Sequence, residues 1–202
     1  MVWASALVST ASMAPEAGAH LATWGSWDVT RRNLDVLFPT ATDYLRKRYT
    51  LSAAEIVQVE RALGFALYPE DKAPEFYIAV RQEGGKQQLL GVALFVDPRL
   101  RPRVEGGEIL RLEVGIGVDG AGKVKRVALY DYKGNPAMSG EAFLGQLVGR
   151  GLEDSFSVDA AGGLDDKGRA KVKPVAGEDE ESQLIANAAF EALTLMKVAL
   201  GR

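Results

Sequence analysis

The chain has 202 residues, of which 47% are hydrophobic and 25% charged, and it carries a net charge of −3. That balance describes a folded chain long enough to bury a core and excludes a disordered one. It has no cysteine and a single histidine, His20, which rules out disulfides, thiolate nucleophiles and cysteine-held metals and argues against Ser-His-Asp catalysis and multi-histidine metal sites. The densest basic group, Arg46-Lys47-Arg48, is too short to mark a nucleic-acid surface, and no apolar run reads as a bilayer span.

Residues 1–19 are rich in alanine and serine, and Ala17-Gly18-Ala19 before His20 fits the small-residue rule for signal-peptidase cleavage. The segment lacks the usual basic start. It reads as a signal or targeting segment, which makes the protein exported or periplasmic; the alternative is an N-terminal extension on a cytoplasmic protein. Residues 20–73 read as a helical lead-in. Within it, a short amphipathic helix leads to Phe38-Pro39, followed by an extended segment through Tyr44 and Tyr49. A second helix opens at Ser52, with Glu55 placed to close a capping box, and Ile56, Val59 and Leu63 form one buried face. Gly64 is its expected stop.

Residues 74–202 read as an α+β domain. Strands are expected over 75–80, 89–96, 108–118 and 123–132, with turns at Gly84-Gly85 and at 119–122. Residues 141–148 predict a short helix. The polar stretch 159–173 fits either a hairpin or a loop. From Ser182 to Leu200, a broad apolar stripe (Leu184, Ile185, Ala188, Ala189, Ala192, Leu195, Met196 and Ala199) predicts a long helix buried against the sheet. The fold class is therefore α+β: an antiparallel β-sheet packed by a long C-terminal helix, with a small helical lead-in.

Few patterns suggest chemistry. Gly115, Gly117 and Gly120 spell a literal G-x-G-x-x-G, but the residues that follow alternate like a strand. A dinucleotide site needs a helix there, so these glycines read as strand and hairpin residues. Asp165-Asp166-Lys167-Gly168 lacks the spacing of a calcium loop and reads as a solvated turn. Glu153, Asp154 and Asp159 are acids with nothing in the sequence to bring them together, and no catalytic residues are assigned.

Several segments, taken in order, carry a family likeness. They are Phe38-Pro39 followed by Leu51-Ser52 and a helix, Gly91-Val92-Ala93-Leu94, the stretch from Glu113 to Asp119 with Gly122-Lys123-Val124 and Val127-Ala128-Leu129, and the segment from Phe143 to Arg150. Gly177 ahead of the final helix completes the series. From Phe38 to Leu200 the chain resembles the FMN-binding domain family. Members carry FMN through a phosphoester to a threonine just before the last helix, installed by a flavin transferase, and shuttle electrons in exported or membrane-associated respiratory complexes.

Taken residue by residue, the resemblance sets Gly177 on the motif glycine, Ala176 where serine is common and Asp179 in the threonine slot. Ser182, three residues later, is the substitute attachment residue that a shifted register would offer. A carboxylate cannot form that phosphoester, so covalent FMN is disfavoured and any FMN would be held non-covalently. Gln146 and Arg150 fall in the segment that runs hydrophobic, Gln, hydrophobic, x, Gly, basic. Arg150, Lys171 and Lys173 are the cations that would take the phosphate.

A helix N-terminus ordinarily favours a phosphate. Here Glu178, Asp179, Glu180 and Glu181 supply that negative charge themselves, each worth roughly 0.3–1 kcal/mol. At about 6 Å and an effective dielectric near 20, one such carboxylate would repel a phosphate charge by about 3 kcal/mol. Two functions follow: an electron-transfer module with non-covalent FMN, or a flavin-free binding or assembly module. Either would serve a respiratory or envelope protein partner.

Overall fold

Five short segments build the sheet, four of them rich in apolar residues and the first mostly charged and exposed. In the computed structural model, which describes residues 28–98 and 112–201, these are β1 (Asp43–Arg48), β2 (Glu75–Glu83), β3 (Lys86–Val96), β4 (Glu113–Val118) and β5 (Val124–Tyr130). They pair antiparallel, in chain order, as one five-stranded meander. The expected targeting segment, His20 and positions 108–111 of the expected third strand lie outside the described residues.

The sheet is covered on both faces, which is why β4 is buried along its whole length. One face presents Phe76, Val92, Leu94, Val96, Val114, Ile116, Val118 and Val127 to the main core. α4 (Asp179–Leu200) lies in that core and buries Ile185, Ala188, Ala189, Ala192 and Leu195, matching the stripe read from the sequence. α2 (Ala53–Leu63) packs beside α4 and contributes Val59. The opposite face gathers Leu34, Leu37 and Phe38 from α1 (Arg31–Leu37) and its end onto Tyr77, Ala79, Ala93 and Phe95.

β1 comes from within the expected lead-in and pairs with β2 from Asp43 opposite Val80 to Arg48 opposite Glu75. The lead-in therefore supplies an edge strand, and its helices cover both faces of the same sheet. α2 starts as expected: Ser52 Oγ accepts from Glu55 N, and Glu55 Oε2 accepts from Ser52 N at 2.7 Å. It stops at Gly64.

Two of the three glycines of the literal dinucleotide motif, Gly115 and Gly117, have a packing explanation. β4 leads through a turn into β5, with no helix between them. Gly115 lies under the rings of Tyr130 and Phe95, and Gly117 under Phe38. Gly91 on β3 also lies under Phe38, with a backbone φ of +151° that side chains rarely adopt. Asp119 closes the turn itself, its Oδ1 accepting from Ala121 N at 2.8 Å and Lys123 N at 3.0 Å.

The helix expected over 141–148 is split into α3 (Glu141–Leu144) and a 3-10 turn, Gly145–Leu147. α3 has no side-chain cap, and Gly145 weakens helical continuation, so the tighter turn takes over. The undecided segment 159–173 is a turn-rich excursion with an antiparallel bridge between Leu164 and Ala170 and a parallel one between Val158 and Val172.

α4 refines the membrane reading. Among the described residues it alone is long and apolar enough to cross a membrane by length and composition, at 22 residues and a mean hydropathy of 1.2. Some 56% of its most apolar stretch is buried inside the protein, which accounts for that composition in a core helix.

Candidate functional site

The start of α4 holds the residues expected to bear on cofactor attachment, and its geometry follows from how the helix is entered. Gly177 turns the chain at φ +78°, and Glu178 occupies the N-cap position without capping through its side chain. Asp179, Glu180 and Glu181 form the first turn. Asp179 and Glu180 are exposed, whereas Glu181 is only 8% exposed. Helical spacing explains the difference. Glu181 stands four residues before Ile185 and seven before Ala188, on the buried face.

A buried carboxylate needs donors. Tyr132, just beyond β5, donates its hydroxyl to Glu181 Oε2 at 2.5 Å and accepts from Asn135 N at 3.1 Å. Asn135 Nδ2 donates to Glu178 Oε1 at 3.3 Å. Burial, then the bond to Glu181, pushes the Tyr132 phenol well above its ordinary range, so it stays a donor. Tyr132 and Asn135 were not singled out from sequence. The available signal was the inward position of Glu181, which calls for a donor from a neighbouring element. Tyr132→Phe removes this bond from a charged acceptor, and a loss of roughly 1.5–3 kcal/mol is expected in urea unfolding.

Ser182, weighed as a substitute attachment point, is fully buried. Its Oγ accepts from Val175 N at 3.2 Å and lies 3.8 Å from Met138 Sδ. The hydroxyl therefore fixes the entry segment to the helix and faces away from solvent.

Gln146 and Arg150 are brought near this entry but act on backbone. Gln146 Nε2 donates to Ala142 O and Lys173 O at 3.0 and 3.1 Å, and its Oε1 accepts from Lys173 N at 2.8 Å. Arg150 Nε donates to Gln146 O at 2.7 Å. One terminal nitrogen donates to Ser155 O and to Ala170 O, and the other reaches Lys171 O at 3.5 Å. One guanidinium thus ties the Gly145–Leu147 turn to two loops that have no ladder of their own.

Of the other two cations, Lys171 is paired with Asp159 at 2.8 Å. Lys173 is exposed, with no side-chain partner among the described residues. The acids considered as a catalytic pair are separated in role: Glu153 and Asp154 both meet Lys123, whereas Asp159 meets Lys171. Asp165 is taken up by its own turn, accepting from Lys167 N and Arg169 N at 2.9 Å while Arg169 pairs with its second oxygen. That pairing holds the Asp165 carboxyl well below the usual carboxylate range.

The site therefore offers an exposed acidic helix start, a part-buried Tyr132–Glu181 bond beneath it and cations largely committed to internal partners. Set against known proteins, the chain matches no protein-family model and no curated protein sequence.

Proposed function

We propose that this chain is a flavin-free binding or assembly module on an FMN-binding-domain-like frame, serving an exported or envelope protein partner. The observation that carries the reading is the first turn of α4. Asp179 and Glu180 are exposed at the end of a helix dipole that would otherwise attract a phosphate. A carboxylate at 179 forms no phosphoester with a flavin. Arg150 supports the same reading, because a guanidinium holding backbone carbonyls cannot turn to a ligand without leaving them unpaired.

The second reading is an electron-transfer module with non-covalent FMN. Gly177 favours it, since it stands where the family motif has its glycine and turns the chain at a positive φ ahead of the long helix. Lys173 adds one available cation. Titrating FMN with the purified protein and following flavin fluorescence separates the two readings. Unchanged emission is expected; saturable quenching would establish the second reading.

A further inference from the structure

β1 is the outermost strand of the meander, with β2 as its strand neighbour among the described residues. It carries Arg46-Lys47-Arg48, the densest basic group in the chain, and every residue from Asp43 to Arg48 except Tyr44 is exposed. The strand is nevertheless fixed from one face. Tyr44 packs with the α1 cluster and donates its hydroxyl to Asp35 Oδ1 at 2.9 Å. Arg46, on the same face, pairs with Glu75 at 2.5 Å, and Tyr77 donates to the other Glu75 oxygen at 3.2 Å.

Lys47 and Arg48, by contrast, have no side-chain partner among the described residues. Glu75 stands opposite Arg48 in the register, but it is 3% exposed and already held by Arg46 and Tyr77. Side chains alternate along a strand, so Lys47 shares a face with Leu45 and Arg48 takes the other. Leu45 is 47% exposed and stands opposite Ile78, which is only partly buried. The ladder alternates too. Tyr49 N donates to Pro74 O, so Lys47 and Leu45 bond to β2 and the backbone N–H and C=O of Arg48 point outward. One edge thus presents an apolar side chain, a cation on each face and outward backbone groups.

We propose that β1 is the docking edge for an acidic, extended segment of a protein partner. An apolar residue of that segment lies against Leu45 and Ile78, and two consecutive carboxylates beyond it meet Lys47 and Arg48, one on each face. Charge complementarity selects this occupant, because the exposed cations flank an apolar side chain in a chain that is otherwise net acidic. A second copy of β1 brings three cations against one acid and repels the first. A nucleic-acid backbone calls for a broader basic stripe than Lys47 and Arg48 provide. The edge lies on a different element from the start of α4, and its occupancy does not depend on whether FMN binds.

Fluorescence anisotropy on the full chain tests this with a labelled Glu-Glu-Thr-Val-Thr-Glu-Glu peptide, which presents the same pattern in either direction. Saturable binding that weakens as salt is raised is expected, and the same peptide with Lys for Glu is expected not to bind. Lys47→Glu combined with Arg48→Glu is expected to abolish binding, and Leu45→Ser to weaken it about tenfold. No binding of the Glu peptide, equal binding of the Lys peptide, or binding unchanged in the double variant overturns the docking edge. So does binding of a DNA duplex or of anionic vesicles where the peptide fails. If the double variant fails to fold, amide NMR of the unmodified chain decides. Shifts that grow with added Glu peptide at Leu45, Lys47 and Arg48 support the edge, and shifts confined to other elements overturn it. FMN added to the same samples keeps the two questions apart. Flavin uptake with peptide binding intact overturns only the flavin-free reading, and peptide failure without flavin uptake overturns only the docking edge.

Discussion

Gly91→Ala is expected to lower the unfolding free energy by about 3–5 kcal/mol, one of the largest effects of any single methyl group in this chain. An added Cβ would stand 2.2 Å from Val118 O and 2.7 Å from the Phe38 ring, at a φ of +151°. The carbonyl belongs to β4, paired to β3 at Val92–Val118, so it cannot retreat without opening the ladder. The ring is fixed between α1 and the sheet. The corresponding loss in Tm is roughly 6–20 °C for a chain of this size. Gly122→Ala serves as the comparison, because its φ is +77° but nothing lies within 4 Å; it should cost roughly 1–2 kcal/mol. Equal losses for the two variants in calorimetry would contradict the packing described at Phe38.

Arg150→Ala is expected to cost about 3–5 kcal/mol and to expose residues 151–173 to proteolysis. Hydrogen bonds from a charged donor contribute roughly 1.5–3 kcal/mol each, and this guanidinium holds carbonyls of Gln146, Ser155 and Ala170. The three share one donor group, so their losses do not simply add. Arg150→Lys is expected to recover little, since a single ammonium cannot span three carbonyls in a planar fork. The variant also distinguishes a strut from a ligand-binding residue. A protein that keeps its stability and its resistance to protease would contradict the structural role and return Arg150 to the list of phosphate-binding candidates.

The parts of the fold legible in the sequence are those governed by local chemistry. Ser52 and Glu55 announce a helix start because the two groups satisfy each other within one turn. The stripe from Leu184 to Ala199 announces a buried helix because its period matches 3.6 residues per turn. The alternation from Val114 to Val118 gives a strand, and it correctly outweighs the literal glycine motif. Contacts between distant segments are less legible. Nothing near Gly91 in the sequence names Phe38 as its neighbour, and the side-chain bonds of Gln146 to Lys173 and Arg150 to Ala170 appear only when the chain has folded back. Both residues were expected to bear on a ligand, whereas each side chain bonds to the backbone of distant loops. At the start of α4, four acids in a row looked equivalent. Helical geometry divides them: Asp179 and Glu180 face water, and Glu181 faces Tyr132.

That division matters for the proposed function because the charge left at the surface is what a phosphate would meet. The same frame with threonine at 179 and a neutral first turn would present free backbone N–H groups and an uncompensated dipole. Here the position carries a carboxylate, and the residue three positions on is sealed in the core.

The most direct measurement is the visible spectrum and intact mass of the full chain purified from cells that make a flavin transferase. The account predicts a colourless protein whose mass is that of the polypeptide alone. An added mass of one FMN that survives denaturation, with flavin absorbance remaining on the chain, would contradict it.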